Sequence, residues 1–177
     1  RHRHELLDRQ DYRRLEHWLA LFPAQVLAGE VELLFIKAYV NQVQFRLQDL
    51  VMILQQIDTL LLVSSDELPQ VEEWRGEVAT LRAVVSALRS DGVEALELGL
   101  YAMERIRSSS VVVRAIAMLQ TAYGYLMTGK LRQAYAMVDA DANTAPIPRD
   151  YAVLRTGLIH LYLDLAAGEL FAIRDSF

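Results

Sequence analysis

The chain has 177 residues, of which 53% are hydrophobic, and it carries a formal net charge of −5 and no cysteine. The lack of cysteine excludes disulfides and cysteine-ligated metal sites, and the acidic balance argues against a protein that grips nucleic-acid phosphates. Four prolines and eight glycines are too few for the turns of an all-β sandwich, and no uncharged apolar stretch reaches the length of about 18 residues that crosses a membrane.

Apolar residues recur at helical spacing along the whole chain, which predicts an all-α fold. The first part is predicted to contain two short helices, over about 2–8 and 12–21, the second of them ended by Pro23. Two longer helices are predicted over 31–43 and about 47–61, where apolar residues mark one face.

Residues typical of caps and turns divide the rest of the chain. Segment 64–69 places serine and aspartate ahead of acidic residues, which predicts a break and the start of a helix that ends at Leu88. Further breaks are predicted at Asp91-Gly92, at serines 108–110, at Gly129, over 143–148 and at Gly168. The intervening helices are predicted over about 93–106, 112–128, 131–140 and 150–167, and another begins at 169.

The predicted helices form a repeat. Ala122, Tyr125, Gly129, Leu131 and Ala134 follow the small, aromatic, turn, apolar, small order of a tetratricopeptide unit. Similar turns lie at positions 10, 45, 91, 129 and 168, separated by 35, 46, 38 and 39 residues. The spacing predicts a single domain over residues 1–177, built from about four or five antiparallel helix pairs stacked in a right-handed superhelix.

The opening string over residues 6–23, which contains Tyr12, Leu15, Trp18-Leu19 and Leu21-Phe22-Pro23, resembles a linker segment of the MalT-like group of LuxR-type, ATP-dependent transcription activators, which carries a Tyr…Leu…Trp-Leu…Leu-Pro run. In that family such an element precedes an array of helical repeats, which lies between an ATPase and a helix-turn-helix domain. The resemblance implies that this chain is the central, effector-sensing region of a larger, cytoplasmic protein. The chain itself contains no P-loop string, so no cofactor is expected in this fragment. ATP and DNA binding would belong to missing flanking domains.

The expected partners follow from the same resemblance. They are a small effector or a regulatory protein and the other domains of the parent protein, and homo-oligomer formation is left open. The acidic charge and the lack of an uncharged apolar run predict no direct nucleic-acid binding by this fragment and no membrane association. The alternative is a tetratricopeptide interaction scaffold unrelated to transcription. The chain is predicted not to be an enzyme, because no nucleophile elbow or HExxH string occurs. No metal site is predicted either, since His2 and His4 face different sides of a short helix.

The candidate ligand site comes from the repeat register. The position six residues before each turn holds Tyr39, Tyr123 and Tyr162, and Val85 interrupts this series. Neighbouring positions on the predicted concave face are Phe35, Leu81, Leu119 and Leu158, with Gln42, Met127 and Arg155 at the margins. Recurring tyrosines could stack on a sugar or another small effector, or grip an apolar helix. The alternative is that these tyrosines pack against neighbouring repeats.

Overall fold

The computed structural model describes residues 12–64, 69–107, 110–144 and 165–168, and all regular secondary structure in these residues is helical. In chain order the helices are α1 (Tyr12–Leu19), α2 (Ala24–Gly29), α3 (Val31–Val43), α4 (Leu47–Leu62), α5 (Pro69–Leu88), α6 (Gly92–Arg105), α7 (Val111–Met127) and α8 (Leu131–Thr144), and residues 165–168 form a further helical turn. The all-α prediction is confirmed for this part of the chain. No helix within it is both long enough and apolar enough to cross a membrane.

Most helix bounds agree with the sequence pattern, and α2 is the main exception. The pattern predicted a break after Pro23 and no helix before Val31, yet α2 begins directly after Pro23. Proline is compatible with the start of a helix as well as with the end of one, because the first helical positions need no backbone donor. The helices predicted over 2–8 and from 169 onward lie outside the described residues, as does most of the helix predicted over 150–167.

Each long helix packs against the next one in the chain, and first helices of successive pairs also meet. The most extensive contacts join α6 to α7 and α5 to α6, while α3 also contacts α5 and α5 contacts α7. The interior is a continuous apolar core whose largest fully buried apolar side chains include Phe35, Tyr39, Leu50, Ile57 and Leu81. Burial of this apolar surface is the main stabilising contribution to the fold.

Three helical hairpins, α3–α4, α5–α6 and α7–α8, are closed by the same backbone turn. The second residue after each first helix has a left-handed backbone, with φ of 56° at Phe45, 61° at Ser90 and 74° at Gly129. The following amide donates to the carbonyl five residues back: Arg46 to Asn41 at 2.9 Å, Asp91 to Ser86 at 2.9 Å and Lys130 to Tyr125 at 2.8 Å. This is the bonding pattern of the Schellman helix end.

The α5–α6 turn lies one residue earlier than the sequence pattern predicted, which shifts the repeat register there by one position. The pattern placed it at position 91, but Ser90 adopts the left-handed conformation. Asp91 instead caps α6, since its carboxylate accepts a hydrogen bond from the Glu94 amide at 3.0 Å. Aspartate is a favoured N-cap residue, which explains why its signal was mistaken for that of the turn itself.

The corrected register aligns the same buried positions in all three hairpins. Seven residues before the left-handed residue lies a fully buried alanine, namely Ala38, Ala83 and Ala122. Five residues after it lies another fully buried residue, namely Leu50, Ala95 and Ala134. A side chain as small as alanine lets the two helices of a pair approach closely. The three hairpins are therefore built on one local plan.

Phe45→Gly is expected to raise the free energy of unfolding by roughly 1 kcal/mol, because a left-handed backbone is costly for any residue with a Cβ. The Phe45 side chain is 72% exposed, so its removal forfeits little packing. Urea unfolding of the variant and the parent chain measures the change. Gln55→Gly, at an exposed position in the middle of α4, is the control and should lower stability by about 0.5–1 kcal/mol. A less stable Phe45→Gly variant would contradict the prediction.

Candidate functional site

Two of the predicted groove residues on α3 lie in the core. Phe35 is 0% exposed and Tyr39 is 1% exposed, and both belong to the continuous apolar cluster. The Tyr39 hydroxyl donates to Oε2 of Glu77 on α5 at 3.2 Å, and Glu77 is itself fully buried. In this arrangement the tyrosine joins two neighbouring hairpins. A role for either residue in binding a ligand stays a prediction.

The other described groove residues are more accessible. Tyr123 and Gln42 are half-buried, and Tyr123 packs against the core with one side. Met127 is 44% exposed at the end of α7, where it lines an open surface depression beside the α5–α6 turn. Tyr162 and Arg155 lie outside the described residues.

The corrected register also moves the position that interrupts the tyrosine series. With the turn at Ser90, the residue six positions earlier is Val84 rather than Val85. Val84 is 5% exposed. Leu81 and Leu119 are buried, whereas Leu158 lies outside the described residues. Among the described groove residues, then, Tyr123, Gln42 and Met127 are the accessible ones.

Polar contacts between successive hairpins recur at nearly constant sequence separation. They are Glu32 to Gln70 at 3.0 Å, Glu32 to Trp74 at 3.3 Å, Tyr39 to Glu77 at 3.2 Å and Glu73 to Ser110 at 3.0 Å, with separations of 38, 42, 38 and 37 residues. Each bond therefore connects positions about one repeat apart. Buried polar groups need such partners to offset their loss of water.

The N-terminal half of α5 carries a group of carboxylates held by arginines. The hydrogen bond from Arg75 keeps the pKa of Glu72 below its ordinary value of 4.5, with a further contribution from Arg105, whose Nε lies 3.1 Å from Oε2 of Glu72. Arg105 also lies over the ring of Tyr101, 3.5 Å from its centroid. Oε2 of Glu73 lies 3.1 Å from Nε of Arg107. The lowered pKa favours an ionised Glu72 that links α5 to α6, rather than a general acid.

A separate cleft of about 440 Å³ lies between α1, α2, α3 and α4. Its apolar lining is Leu19, Ala20, Leu27, Val40, Met52 and Ile53. Its polar lining is Glu16, Lys37, Asn41, Arg46, Asp49 and Gln56. The sequence did not reveal it, because its walls come from helices whose contact depends on the tertiary fold. The local signal was Lys37, an exposed lysine within a run of buried residues on α3.

Two of the charged residues of the cleft form an ion pair and two do not. Arg46, which directly precedes α4, is paired with Glu16 on α1 at 3.2 Å, and Glu16 also accepts a hydrogen bond from Gln44 at 2.9 Å. Lys37 and Asp49 form no side-chain hydrogen bond or ion pair within the described part of the chain, with each other or with a third residue. One cation and one anion on the same cleft are thus available to a ligand.

No cluster of three or more histidine, aspartate or glutamate side chains within the described ranges is placed to hold a metal ion. His2 and His4 lie outside those ranges. Comparison with protein-family models, with curated proteins and with solved structures finds no match for this chain.

Proposed function

We propose that the chain is a tetratricopeptide-like repeat domain whose helix pairs stack in a right-handed superhelix and serve as a binding module. The observation that carries this proposal is the common turn of α3–α4, α5–α6 and α7–α8, with left-handed residues at 45, 90 and 129. Repeats of one supersecondary unit bury their apolar faces only against their neighbours, and the resulting arrays typically present an extended binding surface. The inter-hairpin hydrogen bonds at separations of 37 to 42 residues support the same stacking.

Within this proposal, the domain is the effector-sensing region of a larger, cytoplasmic regulator of the MalT-like type. The opening string over residues 6–23 supports this assignment, and the effector is a small molecule or a regulatory protein. Since Phe35 and Tyr39 are buried, the ligand contacts fall to the accessible residues of the predicted groove. Among the described residues these are Tyr123, Gln42 and Met127, while Tyr162 and Arg155 stay predicted contacts outside the described residues.

A protein-interaction scaffold is the second candidate, and the burial of Phe35 and Tyr39 favours it. A pocket for a sugar or another small effector relies on aromatic faces that reach the ligand. Two of the predicted aromatic contacts are instead occupied by packing between hairpins. A broad surface for a partner helix does not need them, because amphipathic helices bind through apolar contacts spread along a groove.

A thermal-shift screen of the 177-residue chain against sugars and small metabolites separates the two candidates. An effector at a hundredfold excess over its Kd should stabilise the chain by about 2.7 kcal/mol. The shift should be lost in Tyr123→Ala and kept in Tyr135→Ala. Tyr135 on α8 is the matched control, since it too is half-buried against the core. If no compound gives a saturable shift, the small-effector proposal loses to the scaffold. If a shift is retained in Tyr123→Ala, that compound binds outside the predicted groove, and the groove proposal is wrong.

A further inference from the structure

The cleft between α1, α2, α3 and α4 has the chemistry of a second binding site. We propose that it binds an apolar zwitterion of dipeptide size, with the ligand carboxylate at Lys37 and the ligand ammonium at Asp49. The proposal goes beyond the groove, because Lys37 and Val40 on α3 line this cleft whereas Phe35 and Tyr39 do not. It therefore holds whether or not the groove binds an effector.

The shape of the cleft follows from the packing of two helices on a third. Both α1 and α4 contact α3, and the space left between them is lined by residues of all three helices and by Leu27 of α2. Its volume of about 440 Å³ lies within the range of roughly 300–1,000 Å³ that is usual for small-ligand pockets. A single amino acid would fill only part of it, so a dipeptide is the better match in size.

The charges select a zwitterion over other small ligands. Arg46 is already paired with Glu16, which leaves Lys37 and Asp49 as the charged cleft residues without a partner among the described residues. A simple organic anion would be attracted by Lys37 but repelled by Asp49, and a simple cation would be attracted by Asp49 but repelled by Lys37. A ligand with both charges supplies both missing partners. Such pairing of complementary charges gives specificity as well as attraction.

The apolar lining of the cleft favours a ligand that has apolar side chains as well as two charges. Leu19, Val40 and Ile53 form the largely buried floor, and Met52 is 54% exposed at its edge. Apolar side chains on the ligand would remove the accessible part of this lining, at Met52, Leu27 and Ala20, from water, which favours binding. Methionine adapts its flexible side chain to ligands of different shape. A dipeptide with two apolar side chains therefore fits better than a polar one.

The test is calorimetric titration of the 177-residue chain with leucyl-phenylalanine at low ionic strength. Two blocked analogues accompany it: the N-acetyl form, which lacks the ammonium, and the C-terminal amide, which lacks the carboxylate. The free dipeptide should bind in a saturable manner, and each analogue should bind roughly two- to fivefold more weakly, as expected for the loss of one exposed ion pair.

Charge-removing variants assign each contact. Lys37→Met should weaken binding of the free dipeptide by a similar factor and leave binding of the C-terminal amide unchanged, because the amide has no carboxylate to lose. Asp49→Asn should weaken binding of the free dipeptide and leave binding of the N-acetyl form unchanged, because that form has no ammonium. Lys130→Met and Glu97→Gln remove exposed charges outside the cleft and should change nothing. The proposal is overturned if the dipeptide does not bind, if the blocked analogues bind as tightly, or if the control variants weaken binding as much.

Discussion

Phe35→Ala is expected to lower the free energy of unfolding by about 3–5 kcal/mol, the range found when a buried phenylalanine is truncated. Phe35 is 0% exposed in the middle of α3 and belongs to the central core. The substitution removes the apolar surface of the ring and leaves a cavity that neighbouring helices fill only in part. The same residue was predicted from the sequence as a groove contact, so the experiment also decides between packing and ligand binding.

Urea or guanidinium unfolding monitored by circular dichroism gives the free energy for Phe35→Ala. Phe45→Ala is the control, since Phe45 is 72% exposed and its truncation should change stability by no more than about 0.5 kcal/mol. If Phe35→Ala were as stable as the parent chain, the ring would have to be accessible, and the groove interpretation would regain its support on α3.

Gly124→Ala is expected to lower the free energy of unfolding by about 2–3 kcal/mol, because it overpacks the crossing of α6 and α7. A Cβ at position 124 would lie 2.6 Å from the Leu96 backbone nitrogen and 2.7 Å from its Cα. These are backbone atoms inside α6, so relief requires the two helices to move apart rather than one side chain to rotate. That movement would weaken the most extensive helix contact in the described structure.

The α6–α7 crossing depends on small residues on both helices. A Cβ at Gly99 of α6 would lie 2.3 Å from Oγ1 of Thr121 and 3.1 Å from its Cα. Ala95 and Ala102, on the same side of α6, are fully buried. Because this face lacks large side chains, the two backbones approach closely.

Gly29→Ala is the matched control for Gly124→Ala. Position 29 ends α2, and a Cβ there would meet nothing within 4 Å. Its replacement should leave stability unchanged or raise it by up to about 1 kcal/mol, because alanine restricts the unfolded chain more than glycine does. Equal effects at positions 29 and 124 in chemical denaturation would show that close helix packing is not what the glycine at 124 provides.

The local elements were predictable because their signals lie within a few residues. The period of apolar residues predicted helices over 31–43 and 47–61, and α3 and α4 follow these bounds closely. Gly129 predicted a turn at a position where the backbone is left-handed, as the glycine preference requires. Phe45 and Ser90 adopt the same conformation without glycine, so the glycine preference alone does not locate these turns.

The candidate sites were less predictable, since they depend on which faces meet. Helical spacing placed Phe35 and Tyr39 on one face of α3, but it could not decide whether that face met ligand or a neighbouring helix. The bond between Tyr39 and Glu77 joins residues 38 positions apart, and no local pattern specifies it. The cleft that holds Lys37 and Asp49 was missed for the same reason, because it exists only where α1 and α4 both pack on α3.

The sequence by itself determined the helical class, most helix bounds and the spacing of the hairpin turns at 45 and 129. Helical backbone hydrogen bonds join residues four apart, and the apolar period is itself a local pattern, so a 3.6-residue period and a turn residue suffice to encode the helices and their ends. Only the tertiary structure decided that Tyr39 is core, that Tyr123 stays accessible, and that Lys37 and Asp49 share a cleft. Burial and charge pairing are set by neighbours far away in the sequence, and those neighbours are defined only once the helices have packed.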